Sequence, residues 1–196
     1  MVLKKTRTAL KKSAKPKKPP AIAERPGAWH LARTETERRL SDFEFRLERL
    51  TQAYYRWKAA CLAAVCDVPL TGDDVAVLNV VRMGDEPKRL SEVGQLLNRV
   101  DVPNLQYAAR KLVRAGLIET EGGSSRKETR YRASATGRSV TEAYAALRAA
   151  TLPPLLDSVD GWAAKSETAS LHLDLISSLY AQAAQVAITR RHQPVG

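Results

Sequence analysis

Residues 90–137 read LSEVGQLLNRVDVPNLQYAARKLVRAGLIETEGGSSRKETRYRASATG, and the order of elements in this stretch decides the fold. Apolar residues at helical spacing come first, and two strand-like segments around a glycine-rich turn follow. The predicted elements are a short helix from Ser91 through Leu97, a helix from about Pro103 to Ala115, and strands at 117–121 and 129–132. Gly116 follows the second helix, at the position where glycine commonly ends one.

A third short helix precedes this stretch. Thr71 is placed to cap an apolar helix that ends near Gly84. A further helix is predicted from about Ser134, with Pro153 and Pro154 expected to end it. Three short helices followed by a hairpin is the order of a winged helix-turn-helix. We therefore predict a mainly α fold (α+β) with a winged helix-turn-helix domain at 71–136.

The helix from Pro103 to Ala115 separates an apolar face from a polar one. The residues that recur at i, i+3, i+4 and i+7 are expected to face the core, and they are Leu105, Ala108, Ala109 and Leu112. The opposite face has three bases and no acid. It holds the candidate DNA contacts Pro103, Asn104, Gln106, Tyr107, Arg110, Lys111 and Arg114. Asn and Gln amides can pair with adenine in the major groove, whereas the cations are expected to meet phosphates.

The hairpin is also basic. Arg126 and Lys127 lie in its turn, and Arg130 and Arg132 lie on the return strand. A wing of this kind can place an arginine in the minor groove or on the DNA backbone. A basic face on one helix also occurs on ordinary solvated helices. The basic hairpin directly after it is what favours DNA binding.

Residues 34–150, and 90–137 above all, resemble the multiple-antibiotic-resistance regulator (MarR) family. The resemblance implies a homodimeric winged-helix transcription regulator whose first helix and last two helices form the dimer. Wings of that family usually carry two Asp-x-Arg pairs. Here Gly122 and Ser125 stand at the Asp positions and Ser124 at the first Arg position, and Lys127 matches the second basic position. The contacts of the wing are therefore expected to differ in detail.

Two long amphipathic helices flank the predicted domain. The first begins at Thr34, which with Glu37 forms a capping-box pattern, and no Pro or Gly interrupts residues 34–66. The last runs from about Glu167 to Arg190. Apolar residues on both follow 3,4 spacing, which is typical of helix pairs. Segments 28–70 and 137–196 are therefore predicted to dimerise through Leu40, Phe43, Leu47, Leu50, Leu173, Ile176 and Tyr180. Packing within one chain is the alternative.

The net charge of +11 is concentrated at the N-terminus. Residues 1–20 carry eight bases and no acid, whereas residues 21–196 carry 24 bases and 21 acids. Residues 1–27 are rich in Lys and Pro and lack apolar periodicity, so they are expected to be a disordered arm. The arm either touches DNA phosphates or keeps the protein soluble.

Members of the MarR family often bind small aromatic acids or phenols, which implies a possible effector pocket here. The candidate lining is Tyr54, Trp57, Cys61, Val77 and Val81. Ordinary core packing is the alternative, because aromatic residues at this spacing more often belong to a core. Cys61 and Cys66 lie about 140° apart around a helix, so an intrachain disulfide is not expected, although oxidant sensing stays open.

Several other classes of protein are not favoured. The sequence has no phosphate-binding glycine loop, metal-ligand cluster or nucleophile elbow, so we expect neither an enzyme nor a bound cofactor. It lacks an apolar run of membrane-spanning length and a secretory h-region, so we expect a cytoplasmic protein. The prediction is a homodimeric regulator that represses transcription from a near-palindromic operator. The alternatives are an architectural protein with little sequence specificity and a winged helix that binds only protein.

Overall fold

The computed structural model describes residues 30–123 and 128–190. The chain divides into two compact units, Met1–Leu47 and Glu48–Gly196. Its helices are α1 (Glu35–Ala63), α2 (Gly72–Arg82), α3 (Leu90–Leu96), α4 (Val102–Arg114), α5 (Ala135–Leu156) and α6 (Trp162–Thr189). A 3-10 turn, Met83–Asp85, follows α2. The strands are β1 (Lys88–Arg89), β2 (Ile118–Glu121) and β3 (Arg130–Ala133). The predicted mainly helical fold with a small sheet is confirmed.

Helix α1 begins at the predicted capping box. The backbone N–H of Glu37 donates to Thr34 Oγ1 at 3.2 Å, and the N–H of Thr34 donates to Glu37 Oε2 at 2.8 Å. These backbone donors, from Thr34 and then Arg33, lower the pKa of Glu37. The helix then continues for 29 residues, as the absence of Pro and Gly in this segment predicts.

The helices and strands of the winged-helix segment pack around one apolar core. The stripe predicted on α4 is buried, with Ala109 and Leu112 fully inaccessible to solvent. Around it pack buried residues of α2, α3 and β2, together with Leu117 before β2; they are Val77, Leu78, Val81, Val93, Leu117 and Ile118. Burying one leucine side chain completely contributes about 1.5–3 kcal/mol. The core therefore fixes which face of α4 points outward.

The sheet has three strands rather than the two predicted. Its order is β1-β3-β2, and both pairings are antiparallel. The added strand, β1, contains only Lys88 and Arg89, which lie opposite Tyr131 and Arg130. Two residues are too few to show the alternation that identifies a strand. The hairpin prediction is confirmed, but its edge strand was missed.

Two helix boundaries differ from prediction. Pro153 and Pro154 lie inside α5, which continues to Leu156 instead of ending before them. The carbonyls that lose their amide donors belong to Ala149 and Ala150, which are exposed. Water can satisfy such carbonyls, so the two prolines are tolerated. Helix α6 begins at Trp162, after Gly161 in the left-handed region, five residues before the predicted Glu167.

A second apolar cluster joins α1, α2 and α5. Its buried members are Cys61, Leu62, Val75 and Tyr144. Both cysteines are free thiols, and Cys61 is buried while Cys66 is partly buried.

In the described part of the chain, no helix combines the length and apolarity needed to span a bilayer.

Candidate nucleic-acid interface

The outward face of α4 presents most of the predicted DNA contacts. Exposed positions are Pro103, Asn104, Tyr107, Arg110 and Arg114, and Gln106 is half-buried. Tyr107 is 57% exposed although it is aromatic. Among the described residues, neither Arg110 nor Arg114 is held in an ion pair. This face therefore offers amides near the N-terminal end of α4 and two available cations further along.

Lys111 is different from the other cations of α4. Its Nζ lies 2.7 Å from Asp74 Oδ2, and the Asp74 side chain is only 6% exposed. The same Asp74 oxygen accepts from Thr71 N–H at 2.9 Å and from Thr71 Oγ1 at 3.0 Å, as part of the capping box of α2. The ammonium thus neutralises a buried carboxylate. The sequence predicted a DNA contact for Lys111, but in the fold its ammonium is held by Asp74.

A groove connects α4 to the sheet. Its volume is about 480 Å³, and it is lined by Tyr107, Arg110, Val113, Arg114, Thr120 and Tyr131. The exposed face of the helix and the wing strands therefore form one continuous surface. Two arginines and two tyrosines make this surface suitable for a polyanion that has planar bases.

The wing strands hold their arginines in different ways. The Arg132 guanidinium contacts Glu119 at 2.7 Å and Glu121 at 3.6 Å, so its charge is neutralised within the sheet. These carboxylates, Glu119 first, raise the pKa of Arg132. Arg130 is exposed and donates to the Pro87 carbonyl at 3.2 Å. The predicted wing contacts Arg126 and Lys127 lie outside the described residues.

Arg89 is a candidate contact that sequence reasoning missed. It is exposed on β1 and lies directly opposite Arg130 on β3. Like charges in opposite positions of neighbouring strands are unfavourable unless an anion lies between them. The signal available in the sequence was the pair Lys88-Arg89 before α3, but nothing there showed that it would join the sheet.

A family model described as a winged helix DNA-binding domain matches residues 70–137. Residues 70–137 therefore have a winged-helix fold. Reduced AbfR of Staphylococcus epidermidis bound to DNA is 18% identical and covers 77% of this chain and 99% of its own, with a TM-score of 0.61. A MarR family transcriptional regulator of Streptomyces coelicolor is also 18% identical, covering 71% and 95%, with a TM-score of 0.56.

A mutant of MarR from E. coli, complexed with operator DNA, is 18% identical, covers 74% of this chain and 99% of its own, and has a TM-score of 0.56. The chain therefore has the fold of MarR-type regulators around its winged-helix domain. A search of curated proteins finds no match.

The predicted effector residues do not form one group. Val77 and Val81 belong to the core of the winged-helix domain, whereas Cys61 is buried in the second cluster with Trp57 packed against it. Tyr54 is 52% exposed and stacks on Trp57, with ring centroids 6.2 Å apart. The structure thus divides these residues between two cores and an exposed surface.

Another groove, of about 580 Å³, lies between α1 and the start of α2. It is lined by Thr51, Gln52, Tyr55, Arg56, Ala59, Thr71, Gly72 and Asp73. It contains none of the five predicted effector residues, and it is more polar than the pocket that the sequence suggested. Any effector at this groove would meet Tyr55 and Asp73 instead.

The predicted dimer residues are largely exposed in the single chain. Within Met1–Leu47, Leu40 is 50% exposed and Phe43 and Leu47 are partly buried. Within Glu48–Gly196, Leu50 is 58% exposed, Leu173 49% and Tyr180 37%, while Ile176 is partly buried. No residue of α6 is buried.

Proposed function

We propose that the chain is a sequence-specific transcription regulator of MarR type that binds an operator through its winged-helix domain. The observation that carries this proposal is the outward face of α4. Its opposite face is fixed in the core by Leu105, Ala109 and Leu112, so Asn104 and Arg110 are presented to solvent in a defined orientation. A helix presented in this way can enter the major groove.

The residues of the interface divide by role. Asn104, Gln106 and Tyr107 occupy the first half of α4 and are proposed to read base edges. Arg110 and Arg114, with Arg89 and Arg130 on the neighbouring strands, are proposed to bind phosphates, which position the domain without reading sequence. The groove between α4 and the sheet supports this division because it joins the helical and strand cations in one surface.

We also propose that the active species is a homodimer. Helix α6 exposes large apolar side chains at i, i+4 and i+8 on one face, namely Leu171 at 68%, Leu175 at 57% and Leu179 at 53%. Contiguous apolar surface of this kind commonly marks a protein interface. A two-fold dimer would bind half-sites about one helical turn apart, and thus a near-palindromic operator. Leu175→Glu should shift the species seen in sedimentation equilibrium towards monomer, whereas Ser170→Glu, an exposed position about 140° away around the same helix, should not.

Repression is the proposed outcome of operator binding, because a bound dimer blocks access to the same DNA. Relief by a small aromatic effector remains part of the proposal, and the α1–α2 groove is the site to test. The alternative function, an architectural protein with little specificity, rests on the eight bases in residues 1–20. Deleting those residues should lower the salt dependence of binding and leave half-site preference intact.

The test uses a duplex selected from a random-sequence pool by the wild-type protein. Binding is followed by fluorescence anisotropy against the selected and a scrambled duplex at several salt concentrations. Asn104→Ala with Gln106→Ala should reduce the preference for the selected duplex. Arg110→Ala with Arg114→Ala should weaken binding to both duplexes and lower the salt slope by about 1.8.

Arg148→Ala is the matched control, because Arg148 is an exposed arginine on α5, away from α4. It should change neither the preference for the selected duplex nor the salt slope. If selection enriches no sequence and scrambled DNA competes equally, the specific-regulator proposal is wrong and the architectural alternative is favoured.

A further inference from the structure

The first turn of α2 contacts α4 and the turn before it through two neighbouring carboxylates. Asp73 Oδ1 lies 3.2 Å from Arg99 Nη1, in the turn that leads into α4. Asp74 Oδ2 lies 2.7 Å from Lys111 Nζ, on the last turn of α4. One helical turn of α2 is therefore linked both to the turn before α4 and to the last turn of α4.

Arg99 makes more hydrogen bonds in this region than Lys111 does. Its Nε and Nη2 donate to the two carboxylate oxygens of Asp101 at 2.9 and 2.6 Å, a bidentate arrangement, while Nη1 reaches Asp73. Asp101 is the residue that immediately precedes α4. The bound Arg99 guanidinium holds the pKa of Asp101 well below its usual range, so this carboxylate stays charged. Planar bidentate pairing of this type fixes orientation as well as distance.

The backbone around Arg99 is also constrained. Its N–H donates to the Gly94 carbonyl at 2.8 Å, and Asn98 before it has a positive φ of 52°. A Cβ at Gly94 would lie 3.0 Å from the Arg99 carbonyl oxygen and 3.1 Å from Leu105 Cδ1. The turn between α3 and α4 thus has little room to shift, and the Arg99 side chain is only 18% exposed.

The first turn of α2 is in turn fixed against α1. A Cβ at Gly72 would lie 2.5 Å from Tyr55 Cδ1, so the two helices touch here. Next to this contact, Lys58 is buried, with its Nζ 4.6 Å from the Tyr55 ring centroid and 4.8 Å from that of Tyr54. The turn of α2 that contacts Arg99 and Lys111 is therefore packed closely against α1.

We propose that Asp73 and Arg99 are positioning residues that set the orientation of α4 for base reading, with the Asp74–Lys111 pair as the second attachment. Neither Asp73 nor Arg99 needs to touch DNA in this role. Base discrimination depends on placing donors and acceptors accurately against base edges, whereas phosphate contacts tolerate small shifts. Breaking the link should therefore reduce specificity more than overall affinity. The inference rests on the proposed function.

The experiment compares Asp73→Asn, Arg99→Gln and the double variant on the selected and scrambled duplexes. Each single variant should lower the ratio of the two affinities about fivefold or more, the scale of one impaired base contact. The salt slope should stay at the wild-type value because no phosphate contact is removed. The double variant should be no worse than the poorer single variant, since both remove the same link.

Asp85→Asn is the matched control. Asp85 pairs with Arg82 at the other end of α2, so the change removes an ion pair from the same helix without touching α4. It should leave the affinity ratio unchanged. Thermal unfolding of each variant confirms that it is folded at the assay temperature. If Arg99→Gln does not fold, Asp73→Asn still tests the link, because it retains the Arg99–Asp101 pair.

Two results would overturn the proposal. In the first, wild type discriminates between the duplexes and both variants keep its ratio of affinities, even if they bind both duplexes more weakly. The link then does not position α4, and the proposed function still stands. If wild type itself shows no preference, the proposed function is wrong and the positioning role falls with it.

Discussion

Replacing Lys111 with Met tests whether this cation of α4 stabilises the fold or contacts DNA. The change removes the ammonium that lies 2.7 Å from Asp74, whose side chain is 6% exposed. Removing one partner of a fully buried ion pair costs about 3–5 kcal/mol. The cost here should be smaller, because Asp74 keeps two contacts with Thr71 and Lys111 itself is 24% exposed.

We therefore expect a loss of about 1.5–3 kcal/mol, the range for a hydrogen bond to a charged group. For a chain of this size, each kcal/mol lowers Tm by about 2–4 °C, so the melting temperature should fall by about 3–12 °C. Circular dichroism melts and urea titrations measure the loss. Fluorescence anisotropy of DNA binding, measured below the melting temperature of the variant, should show the same salt dependence of affinity as wild type.

Arg114→Met is the matched control, because Arg114 is an exposed cation one turn away on the same helix. It should leave Tm nearly unchanged and lower the salt slope by about 0.9. The reasoning is refuted if Lys111→Met melts like wild type and lowers the salt slope instead. In that case the sequence interpretation of Lys111 as a phosphate contact would be right.

Two further predictions concern backbone packing and pH. Gly137→Ala should lose at least about 3 kcal/mol in urea unfolding, because a Cβ would lie 1.8 Å from the Leu117 carbonyl oxygen. Gly116→Ala, at a φ of +68° with open space around it, should lose only about 1–2 kcal/mol; equal losses would contradict the close approach. The pKa of Asp101 is lowered in the folded state, chiefly by Arg99, so its stabilisation is present above the unfolded pKa of about 3.9 and is lost as pH falls below it. The urea midpoints of wild type and Arg99→Gln should differ above about pH 5 and converge at lower pH; a constant difference would exclude this source of stability.

The sequence predicted best those features that depend on local spacing. The four apolar residues of α4 are buried as their i, i+3, i+4, i+7 recurrence indicates, because packing against a core requires that period. The capping residues Thr34 and Thr71 are also where their patterns place them. These features are decided within a few residues, so no knowledge of distant partners is needed.

Features decided by distant partners were not predictable in this way. Lys111 and Asp74 are 37 positions apart, and nothing in the polar face of α4 separates Lys111 from Arg110. Similarly, Arg89 became a candidate contact only because β1 pairs with β3. Pattern reasoning finds which side chains point away from the core, but it does not find which of them already have a partner.

The effector hypothesis shows the same limit for apolar residues. Tyr54, Trp57 and Cys61 share a stripe on α1, and the resemblance to the MarR family implied a pocket lined by them together with Val77 and Val81, with ordinary core packing as the alternative. In the fold, the two valines are fully buried in the core around α4, and Cys61 packs with Tyr144 instead. Helical spacing shows that residues share a face of their own helix, but a pocket depends on what the neighbouring helix places opposite.

Among the described residues, a cation supports DNA binding only if no carboxylate of the protein already neutralises it. Arg132 is neutralised by Glu119, and Lys111 by Asp74. Removing them from the count leaves Arg110 and Arg114 on α4, at the groove that leads to the sheet. The net charge of the chain is thus a poor measure of its electrostatic contact with DNA. A few available cations at a fixed surface should decide affinity, and the orientation of α4 should decide specificity.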